Sequence, residues 1–512
     1  MERPIEIVIV GGGTAGWLAA LVLQDATRRD GAPARITVVE SSRIPTIGVG
    51  EGTTAAFRMM LLGLGLDEFE FLRETEATVK LGIRHRDWRG DGSHYDGPID
   101  DPHRVLRPPA GAPDEYLNVY AVGARRPLQD MHLFGRVMAR GGAPWARGPE
   151  GRPVALGPFH YAYHFDQAKV GRWLRVKAKG VETLDATVAG LERDGASGDV
   201  SALALDGGAR ISGDFFVDAT GFRRALIGPM GARWISYSDA LPVNRAMPFW
   251  LARGADEEID NFTLARALSA GWLWKIPTQA RDGCGYAYND AFLSPDGARQ
   301  EVEAALGRPI EPRNDIKIDA GRVDRAWIGN CLALGLASSF LEPLEATSIH
   351  GTVVQLSLFA ARALAKGGGV ATGFRDEYCR RVGRQVDDFR TFVNAHYMGG
   401  RADAPFWRDV AASRVHAETR ARLDAWRRAT PKPADFEDCT LGLPHVGAEL
   451  HYPVLDGLGL LDPAVAKAEL AAVPAARAFA RKSYEALSRE YRAAARLAMG
   501  HAEFLAHARG AA

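Results

Sequence analysis

Four cysteines in 512 residues, Cys284, Cys331, Cys379 and Cys439, are all this chain offers toward disulfide or thiolate chemistry. No two are close enough to form a C-x-x-C pair, which excludes a disulfide frame and a cysteine-based zinc site and points to a reducing, cytoplasmic setting. An excess of charge is also missing. Lys plus Arg and Asp plus Glu are equal at 63 each, so no global field would draw nucleic acid or an anionic membrane surface. Apolar runs stop short of the roughly 20 residues that a helix needs to cross a bilayer. The chain enters a core strand within a few residues of Met1, which leaves no room for a signal peptide. Repeats of 20–50 residues and low-complexity tails are absent as well. No metal-ligand set stands out. His160 and His164 have a tempting spacing, but on a strand they lie about 13 Å apart, too far for one ion. Packing or ligand contact is the expected role for both.

What is present begins at Ile5–Glu40. Ile5-Glu-Ile-Val-Ile-Val10 is a short β-branched run of the kind found in buried parallel strands. It leads into Gly11-Gly-Gly-Thr-Ala-Gly16 and then a helical run from Trp17. Gly11, Gly13 and Gly16 have the G-x-G-x-x-G spacing: a tight turn, close backbone approach to a pyrophosphate, and close helix–strand packing. Thr14 and Ala15 complete the loop, and the pyrophosphate would lie on the free N–H groups at the helix start. A second strand, Arg35–Glu40, ends in an acid about 24 residues past Gly16, suited to ribose hydroxyls. Strand, loop, helix, strand and terminal acid together predict a dinucleotide site, without separating NAD from FAD.

Farther along, Ile44-Pro-Thr-Ile-Gly-Val-Gly-Glu-Gly-Thr53 is a glycine-rich loop that interrupts the βαβ rhythm. Lys80-Leu-Gly-Ile-Arg-His-Arg-Asp-Trp88 alternates like a strand, with Lys80 beside apolar Val79 and Leu81. Residues 89–160, rich in Gly, Pro, Asp and His, read as a long loop region, an insertion covering a substrate. Phe215-Phe-Val-Asp218 is a strand ending in a second glycine turn. The last third reads as helices at roughly 374–396, 405–428, 463–481 and 483–508, with breaks at Pro431–Pro433 and Gly442–Gly459. The expected architecture is α/β: a Rossmann-like box over residues 1–360, which includes the 89–160 insertion, and a mainly helical substrate-side part over 361–512 packed on the same core.

Gly271-Trp-Leu-Trp-Lys-Ile-Pro277 carries W-x-W-x-I-P, placing Trp272 and Trp274 on one face of a strand. With the N-terminal glycine motif, Lys80-Leu-Gly-Ile83 and Pro343-Leu-Glu-Ala-Thr347, the chain resembles the flavin-dependent tryptophan halogenases, in consistent order from Ile5 to about Gly351. The resemblance implies a flavoprotein monooxygenase-like box and an FAD enzyme that receives FADH2 from a separate NAD(P)H-dependent flavin reductase. O2 and chloride or bromide would be co-substrates, and the product would be hypohalous acid. Lys80 would relay that species to an electron-rich, indole-type aromatic. Glu345, preferred over Glu342 for its register, would polarise it or take the ring proton.

By the same register, Thr347 and Ser348 would hold the halide, with Ser348 standing where the family has glycine. A positive φ there would be strained. Flavin contacts would come from Val188, Leu336 and Ile349, with Gly48, Val49, Gly50 and Glu51 as a strap across the flavin, and Asp218, at the strand end before the second glycine turn, is expected on the cofactor side. Trp272 and Trp274 would separate flavin from substrate. The expected partners are a small aromatic substrate, the reductase and a second copy of the chain in a homodimer, with no nucleic acid or membrane. The alternative is an FAD-dependent aromatic monooxygenase, which reduces its own flavin and places substrate against it. W-x-W-x-I-P, Lys80 and Glu345 weigh against that.

Overall fold

A computed structural model describes residues 3–31, 34–44, 50–108, 115–254, 256–364, 369–437 and 441–510. Gly48, Val49 and Cys439 lie outside these. Two large sheets organise the described residues. The first is six-stranded and holds Glu6–Val10 at its centre, paired in parallel with Arg35–Glu40 on one side and Phe215–Asp218 on the other. Its strands are apolar on both faces because helices cover both. Thr14–Arg29 packs against Gln167–Lys177 and Thr347–Arg362, and Leu18, Ala19, Ala20 and Leu23 are fully buried. This is the mixed α/β nucleotide box with helices toward its C-terminal side that the sequence pattern predicts.

The second sheet has seven strands and is mostly antiparallel, with Gly271–Pro277 near its middle between Thr263–Leu268 and Arg281–Tyr288. Gly82–Arg86 pairs in parallel with Thr263–Leu268, and His94–Pro98 follows it as the edge strand. Thr78–Lys80 instead belongs to a small three-stranded sheet with Glu51–Gly52 and Ala162–Phe165. Lys80 therefore sits where the chain passes from the small sheet into the seven-stranded one.

Two expectations about loops are corrected. The 89–160 segment contains the helices Tyr116–Gly123 and Leu133–Met138 and the strands His94–Pro98, Gly142–Arg147 and Pro153–Ala155. Tyr116–Gly123 packs against Pro463–Ala472 and Pro474–Leu497. The Leu117–Val122 run is buried, and flanking glycines and prolines disguise it in the composition. The Gly442–Gly459 break likewise contains a helix, Ala448–Gly457, with Pro453 inside it. Of the long C-terminal helical run, Ala498–Gly500 is a strand paired with Gly142–Arg147. No helix of the described residues is long and apolar enough to cross a membrane.

Candidate active site

The glycine loop shows why its residues are glycine. Gly11 has φ +113°, and a Cβ there would lie 2.3 Å from the Ala219 carbonyl oxygen. At Gly16 a Cβ would lie 1.8 Å from the Gly11 carbonyl oxygen. Gly13, at the start of the Thr14–Arg29 helix, faces open space. That helix has no side-chain cap, and Thr14 Oγ1 is buried without a partner. Free N–H groups, an unpaired hydroxyl and room above Gly13 fit a pyrophosphate. Glu40 closes this end of the site, with Trp17 Nε1 donating to its Oε2 at 3.3 Å and the Arg175 guanidinium 2.6 Å from Oε1.

These residues open into one cleft of about 680 Å³. Gly11–Ala15 and Glu40 line one end, and Gly50, Glu51, Val188, Leu336, Trp274, Ser348 and Lys80 line the rest. An FAD-sized ligand suits its extent and its mixture of backbone donors and apolar wall. Asp218 lies beneath the cleft. Its carboxylate accepts from Thr220 N and Oγ1 and from Leu226 and Ile227 N, and so shapes the 219–225 turn that lines the cleft in its place. Ile349 is packed into the core behind the turn that carries Ser348.

Lys80 is 1% exposed, and its Nζ donates to the Thr53 carbonyl oxygen at 2.9 Å. Gly52 lets the backbone come this near, since a Cβ there would lie 3.3 Å from Nζ and 3.4 Å from Thr263 Oγ1. Burial penalises the ammonium and brings its pKa down to about 8, against the opposing pull of the Glu345 charge. A substantial share of this lysine is thus a neutral, nucleophilic amine near physiological pH.

Glu345 sits across the Pro343–Ala346 turn from the cleft. Its Oε1 is 2.9 Å from His396 Nε2 and 3.3 Å from His85 Nε2. Burial alone would raise its pKa, but the His396 and His85 imidazoles set against Oε1 outweigh that and hold it below the ordinary carboxylate range. Glu342 is in the opposite condition. Tyr397 Oη, Trp272 Nε1 and Val243 N all donate to it, yet complete burial pushes its pKa up to about 7. Two carboxylates three residues apart therefore separate into one held in the anionic form beside two histidines and one whose proton is released only near neutral pH.

Thr347 begins the Thr347–Arg362 helix, which also lacks a side-chain cap, and Thr347 Oγ1 is buried without a partner. An uncapped helix start with an unpaired hydroxyl is a natural anion site. A left-handed backbone occurs two residues earlier, at Ala346 (φ 55°, ψ 38°), while Ser348 lies within the helix. Serine in place of glycine therefore carries no strain. Trp272 and Trp274 share one strand face with ring centroids 6.0 Å apart. Trp274 lines the cleft, and Trp272 is buried against Glu342. Gly285 on the adjacent strand makes room, since a Cβ there would be 2.1 Å from Trp274 Cζ2.

His160 lies 2.6 Å from Arg58, and His164 lies 2.8 Å from Thr263 Oγ1, so both have protein partners. His85 and His396, by contrast, gave no sequence signal. They reach Glu345 from a strand and a helix about 310 residues apart, and only the fold brings them together.

The tryptophan halogenase family model matches residues 6–450. KtzR, a 7-chloro-L-tryptophan 6-halogenase of Kutzneria sp. (strain 744), is 33% identical over 503 residues, spanning 91% of this chain and 95% of that relative. Tar14, a tryptophan C-6 flavin-dependent halogenase (chlorinase) from taromycin biosynthesis, has a TM-score of 0.86 at 28% identity, covering 99% of this chain and 100% of its own. BrvH, a flavin-dependent halogenase from Brevundimonas sp. BAL3, has a TM-score of 0.82 at 31% identity over 99% of each chain. With glycine loop, cleft, buried lysine and isolated carboxylate in one place, the chain belongs to the tryptophan halogenase family and is a flavin-dependent oxidoreductase of the halogenase type.

Proposed function

We propose that this enzyme takes FADH2 from a separate reductase, consumes O2 and chloride or bromide, and halogenates an indole-type aromatic with Lys80 as relay and Glu345 as the acting carboxylate. The observation that carries the reading is Lys80, a buried amine with its pKa near 8 that lines the same cleft as the glycine loop and feels the charge of Glu345. FADH2 held along Gly11–Gly16 and Glu40 would supply the two electrons with which O2, halide and a proton become hypohalous acid and water. The uncapped helix start at Thr347, with Ser348 facing the cleft, would hold the halide. The neutral Lys80 amine either hydrogen-bonds hypohalous acid or takes its halogen as an N–X bond with loss of water. Transfer of halogen to a ring carbon leaves a strongly acidic cationic ring. Glu345, held in the carboxylate form at neutral pH, stabilises that charge and receives the ring proton, for which even a weak base suffices.

Substrate choice follows from Ala448–Gly457. His451 and Tyr452 are buried, with His451 Nδ1 donating to the Gly447 carbonyl at 2.9 Å and Tyr452 Oη to the Pro431 carbonyl at 3.0 Å. Neither is free to grip an amino-acid head, and a buried zwitterion without matched partners is costly. An indole lacking that head, or a larger indole-bearing molecule, is the better substrate, halogenated at its most electron-rich carbon. The test is incubation with a flavin reductase, FAD, NADH, bromide and a panel of indoles, followed by mass spectrometry. Brominated product that depends on the reductase supports the reading. Robust NAD(P)H oxidation without added reductase points to the aromatic monooxygenase instead.

A further inference from the structure

Among the described residues, one group of side chains offers a set of metal-ligand atoms: His85, Glu345 and His396, all within 4.8 Å of one another. Two features of this cluster ask for a cation. His396 Nδ1 lies 3.0 Å from the Phe392 carbonyl oxygen. A carbonyl can only accept, so Nδ1 carries the proton, and a neutral ring then turns the Nε2 lone pair toward Glu345 Oε1 at 2.9 Å. Lone pair would face carboxylate with nothing positive between them. His85, 1% exposed, has both ring nitrogens buried without a hydrogen-bond partner, although Nε2 is only 3.3 Å from the same oxygen.

We propose that His85, His396 and Glu345 form a binding site for a divalent transition-metal cation of the Zn²⁺ type. Two imidazoles and a carboxylate with a further position open form a familiar donor set for this ion. The two spacings to Glu345 Oε1, 2.9 and 3.3 Å, agree, because ligands at about 2.0 Å from a tetrahedral zinc stand about 3.3 Å from each other. The Nδ1–H to carbonyl bond of His396 is the contact that fixes the tautomer of a metal-bound imidazole. Trp88, Phe392 and Tyr95 wall the site. Tyr95, stacked 4.7 Å from His85, contributes a third unpartnered polar group, its hydroxyl. Resting on the halogenase reading, a bound cation has a consequence: it takes the Glu345 carboxylate away from the ring and blocks halogenation.

Cobalt and zinc are the probes. The ligand-free chain is titrated with Co²⁺, read by the visible bands of low-symmetry cobalt, and then back-titrated with Zn²⁺. One Co²⁺ per chain, displaced by one Zn²⁺, is expected. His85→Phe and His396→Gln should each weaken Zn²⁺ binding by at least about 10²-fold, the upper scale on which even outer-shell partners of a metal act, with FAD binding as the check of folding. Zn²⁺ should also inhibit bromination by chemically reduced FAD over the same concentration range in which it binds the wild type. No saturable Zn²⁺ binding by the wild type overturns the site whatever the variants do. Equal affinity in wild type and folded variants overturns it too, leaving His396 as an imidazolium that donates to Glu345. Intact metal binding with no halogenation supports the site and counts against the halogenase reading alone.

Discussion

Replacing Lys80 by Met should stabilise the protein while destroying its activity, and pH should reveal why. Lowering a lysine from 10.5 to about 8 by burial corresponds to about 3 kcal/mol at about 1.4 kcal/mol per pK unit. That is what the fold gives up at neutral pH to keep an ammonium there. Methionine removes the charge at similar volume, but the Thr53 carbonyl loses its 2.9 Å donor, which costs about 1 kcal/mol. The net gain is about 2 kcal/mol. The sign with pH follows from proton counting. Below pH 8 the lysine is protonated both folded and unfolded, so the gap between variant and wild type is full and constant. Between pH 8 and 10.5 the unfolded chain keeps a proton that the folded chain has released. Wild-type stability therefore rises relative to the variant, and the gap closes. A chain of 512 residues gains only about 1 °C per kcal/mol, so urea unfolding of both proteins at pH 7 and pH 10 is the better assay. A variant less stable than wild type at pH 7, or a gap that does not change with pH, would refute the reasoning.

Three further outcomes follow from the site. Gly16→Ala should abolish FAD retention, read by absorbance after gel filtration, because its Cβ would meet backbone at 1.8 Å with no side chain to yield. Glu345→Gln should lower halogenation by about 10²-fold, the scale of acid–base contributions, with FAD binding intact. Glu342→Gln should be much milder, because the carboxylate charge that acts on Lys80 is that of Glu345, while Glu342 is buried against Trp272 and Tyr397; the reverse order would move the acting role to Glu342. In direct competition, indole should be halogenated in preference to tryptophan, and a clear preference for tryptophan at a benzo-ring carbon would contradict the proposed substrate class.

How much of this was legible in the sequence depended on distance along the chain. The glycine loop is local, with strand, turn and helix contiguous from Glu6 to Arg29, and its pattern states its geometry. Lys80, the tryptophan pair and Pro343–Thr347 were readable as short motifs in a fixed order. Asp218 was read as a ligand-side acid, but at the strand end it has four backbone and hydroxyl donors to satisfy, a role invisible without the turn that folds over it. Residue type raises the question of strain at Ser348 but does not place the left-handed residue, which is Ala346, where the tight Pro343–Glu345 turn meets the helix. His85 and His396 cannot be paired from the sequence, because about 310 residues separate them and the carboxylate they share lies on a third element. The helices at Tyr116–Gly123 and Ala448–Gly457 were hidden by flanking or internal proline and glycine whose local penalty is outweighed by burial of Leu117–Val122 and Tyr452–Leu455.

The account stands or falls on whether oxidant made at the flavin reaches substrate through Lys80. With chemically reduced FAD, O2, bromide and indole, wild type and Lys80→Ala should be followed for both flavin reoxidation and brominated indole. The account predicts that Lys80→Ala reoxidises flavin at a rate near wild type and forms no brominated product above the enzyme-free control. Near wild-type bromination by Lys80→Ala would contradict it.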